Sequence, residues 1–304
     1  IVILKCNIIK RSDFMIDKFK DYMRELRLSQ NSIDSYYSDV VLYEKYYKDS
    51  YGDDLKKLVF ADIIMYKQYL LNNSISPKTI NRKLTSLCTY NKFLIKEKIQ
   101  TDEVITDKDY IKIQPPIPSE ETLSVQDINK LKHYTSIDNK TSKRDFCIIS
   151  ILCYSGLRAS ELANLKVKDI KLDERTIYVF GKGNKFRTVV INNIMHAALT
   201  TYLTERNNIA INNPYLFLSQ KSKNTLKPVS RNFSNRLLDK YKELCKIADL
   251  HPHLLRDFFA TDALHNAGYT IEQVANQLGH SNINTTKGYL RTKKEDLLNL
   301  ANRL

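Results

Sequence analysis

Residues 146–162 read FCIISILCYSGLRASEL, and the fold of the second half of the chain turns on them. From Arg144 to Leu157 the run is almost continuously apolar, which predicts a helix buried on all sides and stopped at Gly156. Arg158 then emerges where that helix ends, and ASELANLKVKDI (159–170) predicts a second short helix. Further on, TIYVFGKGNKFRTVVI (176–191) alternates Ile177 with Val179 and Val189 with Ile191, with Gly181 and Gly183 bracketing a turn. That is a β-hairpin. Everything beyond it reads as helix.

Working upstream, SVQDINKL (124–131) restarts helix with Ser124 as cap, and IQPPIPSEET (113–122) reads as an extended, proline-rich linker. The expected division is a helical domain over 1–116 and a second domain over 117–304. Residues 13–98 predict four or five helices. Their inward faces carry Met15, Phe19, Tyr22, Met23 and Leu26, then Ile33, Tyr37, Val40 and Val41, then Val59, Ile63, Tyr66 and Leu70. Ser76 and Pro77 form a cap followed by proline at the first helical position, opening a helix with Ile80, Leu84, Leu87 and Leu94 inward. The fold class is mainly α with one small antiparallel sheet.

The composition narrows the partners. A length of 304 residues and 48 Lys and Arg against 34 Asp and Glu give a formal charge of +14, which favours a polyanion, nucleic acid before membrane. Five cysteines without a CxxC pair fit a reducing cytoplasm better than a secreted disulfide framework. No stretch reaches the roughly 18 apolar residues of a bilayer span, and IVIL at the start is too short for a signal-peptide core. Residue 1 is Ile and not Met, so residues upstream stay open.

Six groups with chemistry follow one another in order: Arg158, Lys182, His253, Arg256, His280 and Tyr289. Two guanidiniums suit the non-bridging oxygens of a phosphate and the extra charge of a pentacoordinate transition state. A lysine on a hairpin tip suits protonation of a leaving alkoxide, with Lys185 and Arg187 as rivals to Lys182. Tyr289 gains its weight from position: Gly279 ends a helix, His280 sits at the break, Ser281 can cap the next helix, and Tyr289 falls about two turns in. A free phenol titrates near 10. It needs cations or a base nearby, which the arginines, His253 and His280 would supply.

His251 and His253 resemble a metal-binding pair, but no third ligand stands at zinc-like spacing, and neither a carboxylate cluster, a P-loop nor a GxGxxG is present. No metal or other cofactor is expected. Lys78, Thr79, Asn81, Arg82 and Lys83, at the start of the Ser76-capped helix, are the first candidates for DNA contact, and Arg231 and Arg236, in the predicted helix SRNFSNRLL, the second.

These boxes together resemble the tyrosine site-specific recombinase, or phage integrase, family, in particular its compact Xer-like and transposon-resolvase members. LSQNSIDSYYSDV and SPKTINRKLTSLCTYNKFL look like the family's N-terminal core-binding domain, and SGLRASEL, GKGNKFR, HPHLLRDFFAT and LGHSNINTTKGY like its catalytic boxes. The resemblance implies a two-domain clamp on duplex DNA, a homotetramer on two paired sites, and possible accessory DNA-bending proteins. It matches Arg158 and Arg256 to the phosphate-binding arginines, Lys182 to the hairpin lysine, His253 and His280 to the two histidines, and Tyr289 to the nucleophile. Glu161 matches the acidic residue that supports the first arginine. The implied reaction needs neither ATP nor metal and passes through a 3′-phosphotyrosyl link.

Two positions depart from the family's pattern: Asp257, where many members carry histidine, and Gly288, which suggests flexibility before Tyr289. Leu297, Leu300 and Leu304 predict a tail helix that packs on a neighbouring protomer or on its own domain. A DNA-binding protein of this fold without strand exchange, and a relaxing enzyme of type IB topoisomerase kind, are the other readings.

Overall fold

A computed structural model of the protein describes residues 11–113, 123–137, 142–181, 186–209, 212–219, 228–280 and 282–289. The chain divides into two compact units, Ile1–Ile117 and Pro118–Leu304. All but the first residue of the predicted linker, the boundary after residue 116 and the predicted tail helix lie outside the described residues.

The first unit contains α1 (Arg11–Glu25), α2 (Gln30–Tyr51), α3 (Phe60–Asn72) and α4 (Pro77–Lys96). Local chemistry fixes their ends. Ser29 and Ser76 accept the backbone N–H groups of Ser32 and Thr79, Pro77 opens α4, and Gly52 closes α2 at a φ of 77°. Phe19, Tyr43, Leu84, Leu87 and Phe93 form the centre of the core between these helices. Leu26, Val41 and Val59, expected inside, are exposed; Leu26 lies past the end of α1 and Val59 caps the start of α3, outside either helix's inward face.

The inward face of α4 also carries charge. Lys83 lies three residues from Ile80 and four from Leu87, so helical periodicity turns it inward, where it is buried and donates to Asp39 at 3.0 Å. Arg82 and the Ser86 hydroxyl, the latter at 2.8 Å, donate to the same carboxylate. Asn81 spans to a neighbouring segment, its amide giving to the Ile111 carbonyl and its oxygen taking the Ile111 N–H, both at 2.8 Å. The exposed face expected over 78–83 is therefore corrected: Lys78 and Arg82 are exposed, Thr79 and Asn81 are half-buried, and Lys83 belongs to the core.

The second unit is built around α6 (Ser142–Ser155), whose Cys147, Ile148, Ile149, Ile151, Leu152 and Cys153 are all fully buried. Helices α5 (Val125–Ile137), α8 (Asn193–Ile209) and α10 (Pro252–His265) pack against it. Gly156 ends α6 at a φ of 63°, and a side chain there would meet Leu278 and Phe259 at 2.5 and 2.7 Å. Glycine is required on both grounds. The short α7 is confined to Ala159–Asn164, not the longer helix expected. It stops because the Leu165 carbonyl takes the Leu216 N–H at 2.8 Å and Val167 donates to Pro214 at 2.9 Å, drawing the chain into extended pairing.

A three-stranded antiparallel sheet follows: β1 (Ile170–Lys171), β2 (Thr176–Phe180) and β3 (Phe186–Val190), in that order. The hairpin has the register Ile177↔Val189 and Val179↔Arg187. After it come α9 (Phe233–Cys245), α10, α11 (Ile271–Leu278) and the single turn α12 (Asn284–Lys287). Arg231 lies in a turn before α9, closed by Phe233 N–H to Ser230 O at 2.9 Å, and not in the helix; Arg236 is on the helix. No described helix is long and apolar enough to cross a membrane.

Replacing Asp39 with alanine strands the Lys83 ammonium inside the first unit. A loss of about 3 kcal/mol is expected, measurable as a fall in the urea midpoint. An unchanged midpoint would remove Asp39 as the unit's electrostatic anchor.

Candidate active site

The site assembles at the end of α6 and the open end of α11. Thr270 and Gln273 cap α11 at its start, and Gly279 closes it at a φ of 66°. Its last carbonyls lack partners within the helix and carry the negative end of its dipole. Arginines fill the vacancy. Arg187 Nε donates to Gln277 O at 2.7 Å, Arg256 Nη2 to Leu278 O at 2.8 Å, and Arg158 Nη1 reaches the same carbonyl at 3.5 Å. Arg256 also donates to Gly156 O, so the turn that ends α6 holds the arginine of α10.

Glu161 gathers two of the three. Its buried carboxylate takes the Arg158 backbone N–H at 2.8 Å, Arg158 Nη1 at 3.0 Å, and two parallel bonds from Arg187, both at 2.9 Å. Burial alone would raise its pKa, but the bonds and charges of Arg187 and Arg158 bring it below the ordinary value. A side chain at Gly279 would press on the Arg187 guanidinium at 3.0 Å.

Glu161 answers Arg158 and Arg187, whereas Arg256 is held by carbonyls and His280, and the surplus of positive charge shows in the neighbours. Arg256 is 3% exposed, and burial together with Arg158 lowers its pKa to about 10. Burial and the charges of Arg256, Arg158 and Arg187 push His280 down to about 4. His280 is therefore neutral at pH 7. Its Nε2 faces Arg256 Nη2 at 3.0 Å, and because a guanidinium only donates, Nε2 accepts and Nδ1–H donates to the Thr286 hydroxyl at 2.8 Å.

Arg158, Arg256 and His253 line one open cleft of about 670 Å³, joined by Ser160, Arg231 and Asn235. Arg236 borders an adjoining hollow. On α10, His251 caps the helix by accepting the Leu254 N–H on Nδ1, which occupies one half of the HPH pair. Among the described residues, no three His, Cys, Asp or Glu side chains are grouped to hold a metal ion.

His253 and Arg256, three residues apart on α10 and so expected on one face, diverge. Arg256 is buried, whereas the His253 side chain is 70% exposed and its Nδ1 pairs with Asp257 at 3.1 Å, which raises its pKa. Tyr289 lies just past the single turn of α12, not two turns into a helix. Its hydroxyl donates to Asp257 at 2.5 Å, and its ring joins Phe259, Ala260, Ala263, Val274 and Leu278 in a small apolar cluster. Burial and the Asp257 carboxylate hold the phenol well above its ordinary pKa, the reverse of the activation expected from the arginines and histidines. Gly288 has ordinary helical φ and ψ, and a methyl there would meet only Thr285 O at 3.6 Å. Lys182, Lys185 and Ser281 lie outside the described residues. The remaining rival for the hairpin role, Arg187, is bound to Glu161 and α11.

Residues 16–98 match the phage integrase N-terminal SAM-like domain, and residues 121–296, more than half of the chain, match the phage integrase family itself. The chain belongs to the phage integrase family. Among its relatives, TnP I resolvase of Bacillus thuringiensis is 35% identical over 286 residues, covering 93% of this chain and 96% of the relative. Tyrosine recombinase XerD of Rickettsia bellii is 32% identical over 302 residues, covering 94% and 96%. The fold is shared with XerH site-specific recombinase in a post-cleavage complex on a palindromic difH substrate, at a TM-score of 0.72 and 21% identity, covering 94% of this chain and 83% of that one.

Within this family member, residue-by-residue reasoning missed three participants: Arg187 as the second partner of Glu161, Thr286 behind His280, and Asp257 beneath Tyr289. A hint of Arg187 was available, since the alternation that turns Val189 inward turns Arg187 the same way.

His280 gives a pH test. Its folded pKa is depressed, so the unfolded chain takes up the proton first, and the stability conferred by neutral His280 is full above about 6.5 and lost as pH falls towards about 4. Over that window the urea midpoint of the wild type should fall more steeply than that of His280→Gln. Parallel curves would contradict the assignment.

Proposed function

We propose that this phage integrase family member is a site-specific DNA recombinase that cuts and rejoins strands through a phosphotyrosyl ester at Tyr289. The observation that carries the assignment is the excess of positive charge around the cleft: Arg158 and Arg256 line it, Arg187 stands behind them, and Glu161 pairs with Arg158 and Arg187 while Arg256 bonds carbonyls. A phosphate between the two lining guanidiniums would complete the charge balance, and the additional negative charge of a pentacoordinate phosphorus would be stabilised further.

In the proposed step the Tyr289 oxygen bonds to phosphorus and the bond to the 5′ oxygen breaks. The phenolic proton passes to His253, whose Nε2 is available once Nδ1 is engaged with Asp257. Lys182 protonates the departing 5′ oxygen. The products are a 3′-phosphotyrosyl link and a 5′-hydroxyl, which attacks the partner strand in the reverse sense. Arg158 and Arg256 grip the non-bridging oxygens, Glu161 fixes the first of them, and neutral His280 seats the second. The phosphate stays esterified throughout, so neither ATP nor a metal ion is called for.

The partner in this reading is duplex DNA carrying two paired sites, held by a homotetramer with accessory DNA-bending proteins where the site demands them, in the cytoplasm. The helical domain over 1–116 would bind the core site through Lys78, Thr79, Asn81 and Arg82, while Lys83, buried and bonded to Asp39, would not reach the DNA. The domain over 117–304 would carry the chemistry, with Arg231 and Arg236 on flanking phosphates.

Incubated in EDTA with a nicked duplex bearing its site, the wild type should yield a covalent protein–DNA band. Tyr289→Phe should abolish the band while other Tyr→Phe variants keep it, and Arg256→Ala should slow its appearance roughly 100-fold or more. A band that persists in Tyr289→Phe would move the nucleophile elsewhere.

A further inference from the structure

The Tyr289 hydroxyl is not among the groups that line the cleft; it is bonded to Asp257 on the neighbouring helix. Asp257 is occupied on both sides, since His253 Nδ1 pairs with its carboxylate at 3.1 Å. The tyrosine ring is seated at the same time in the apolar cluster of Phe259, Ala260, Ala263, Val274 and Leu278. Its backbone is tied as well, its N–H to Thr286 O at 3.0 Å and its carbonyl to His265 Nε2 at 3.2 Å.

We propose that Asp257 is a positioning residue that docks the Tyr289 hydroxyl in a resting place outside the phosphate cleft, so that attack on DNA begins with the loss of this hydrogen bond. The proposal rests on the reading of Tyr289 as nucleophile.

The alternative role for Asp257, as the base that deprotonates Tyr289, fails on proton affinity. The hydrogen bonds from His253 and Tyr289 and the charges of His253 and Arg256 outweigh burial and keep the carboxyl below its ordinary range, while the phenol is held above its own. The proton therefore stays on the tyrosine, and a carboxylate facing a protonated phenol stabilises the unreactive form. The charged groups acting on the phenol are Asp257 and, in the opposite sense, Arg256 from α10 and Arg158 from the start of α7. Asp257 prevails because it alone makes direct contact. His253 is the side chain common to both arrangements: it lines the cleft through its exposed ring and holds Asp257 through Nδ1. A phosphate that enters the cleft thus meets the group that orients the docking carboxylate.

The test uses the full chain with 3-fluorotyrosine at position 289 and follows its fluorine resonance through a pH titration without DNA. In the wild type the phenol should titrate above free 3-fluorotyrosine. Asp257→Asn, which keeps the shape and removes the charge, should lower the midpoint by about one pH unit or more, and Asp257→Glu should restore part of the elevation. A wild-type midpoint at or below that of the free amino acid overturns the proposal without recourse to any variant. So does an unchanged midpoint in an Asp257→Asn protein whose circular dichroism and unfolding midpoint match the wild type. Covalent capture on a nicked duplex is scored separately. An ordinary midpoint in a protein that forms the covalent product sinks the docking and leaves the nucleophile standing, whereas a raised midpoint without covalent product on its site sinks the nucleophile and leaves the contact.

Discussion

One buried carboxylate and one open helix end hold together three arginines that would otherwise repel each other. Glu161 takes Arg158 and Arg187, while the final carbonyls of α11 take Arg187 and Arg256. Removing either anchor leaves like charges facing one another in a partly desolvated place, where electrostatic interactions are stronger than in water. The arrangement explains why the surroundings are built as they are. Gly156 must be glycine so that α6 can turn beneath Leu278 and offer its carbonyl to Arg256, and Gly279 must be glycine so that α11 can end against Arg187. The incomplete neutralisation is visible in the lowered pKa values of Arg256 and His280, and in the proposed reaction it would prepare the cleft for a doubly charged phosphorus centre before the DNA arrives.

Much of this frame is legible in the linear chain because it is written in local terms. The buried α6, the Ser76–Pro77 start of α4, the hairpin with Ile177 opposite Val189, and the glycines after α6 and α11 each follow from rules that span a few residues. What escaped was pairing between elements. Glu161 was matched to Arg158, three residues away, but its two-bonded partner Arg187 comes from a strand 26 residues on. Lys83 sits in sequence among exposed basic residues, yet its spacing from Ile80 and Leu87 puts it inside. In both cases the periodicity that locates the apolar residues also locates the charged ones, and position overrides residue type. Such residues can be buried when a carboxylate waits at the same depth, and Asp39 and Glu161 are both buried.

The two units use buried carboxylates in different ways. Asp39 is 2% exposed and surrounded by Arg82, Lys83 and Ser86, so its charge is answered within the first unit. Arg82 remains partly exposed, and Asp39 fixes it at the start of α4, so that in the proposed DNA contact it would have little freedom left to lose. Glu161 is outnumbered by its arginines, and the imbalance opens into a cleft. A closed network stiffens a scaffold, whereas an open one draws in an anion. Each carboxylate bonds two cations, but beside Glu161 stands Arg256, which bonds carbonyls and His280, so a count of basic residues along the chain could suggest a polyanionic partner without locating where it binds.

Asp257 brings a third arrangement, in which the carboxylate competes with the phosphate cleft for the tyrosine. Helix α10 makes this possible by geometry: Arg256 turns inward to α6 and α11, while Asp257, four residues from His253, shares the more open face. A hydrogen bond to a charged group is worth roughly 1.5–3 kcal/mol, which by itself would leave the tyrosine undocked about one time in ten to one in a hundred. Packing of the ring against Phe259 and Leu278 lowers that fraction further. A protein that attacks its own substrate through an ester has reason to keep its nucleophile idle until the phosphate is in place, since premature cleavage would break a DNA strand with no partner strand aligned. The free energy that releases Tyr289 then has to come from the encounter with DNA, through interactions made in the undocked arrangement and absent from the docked one.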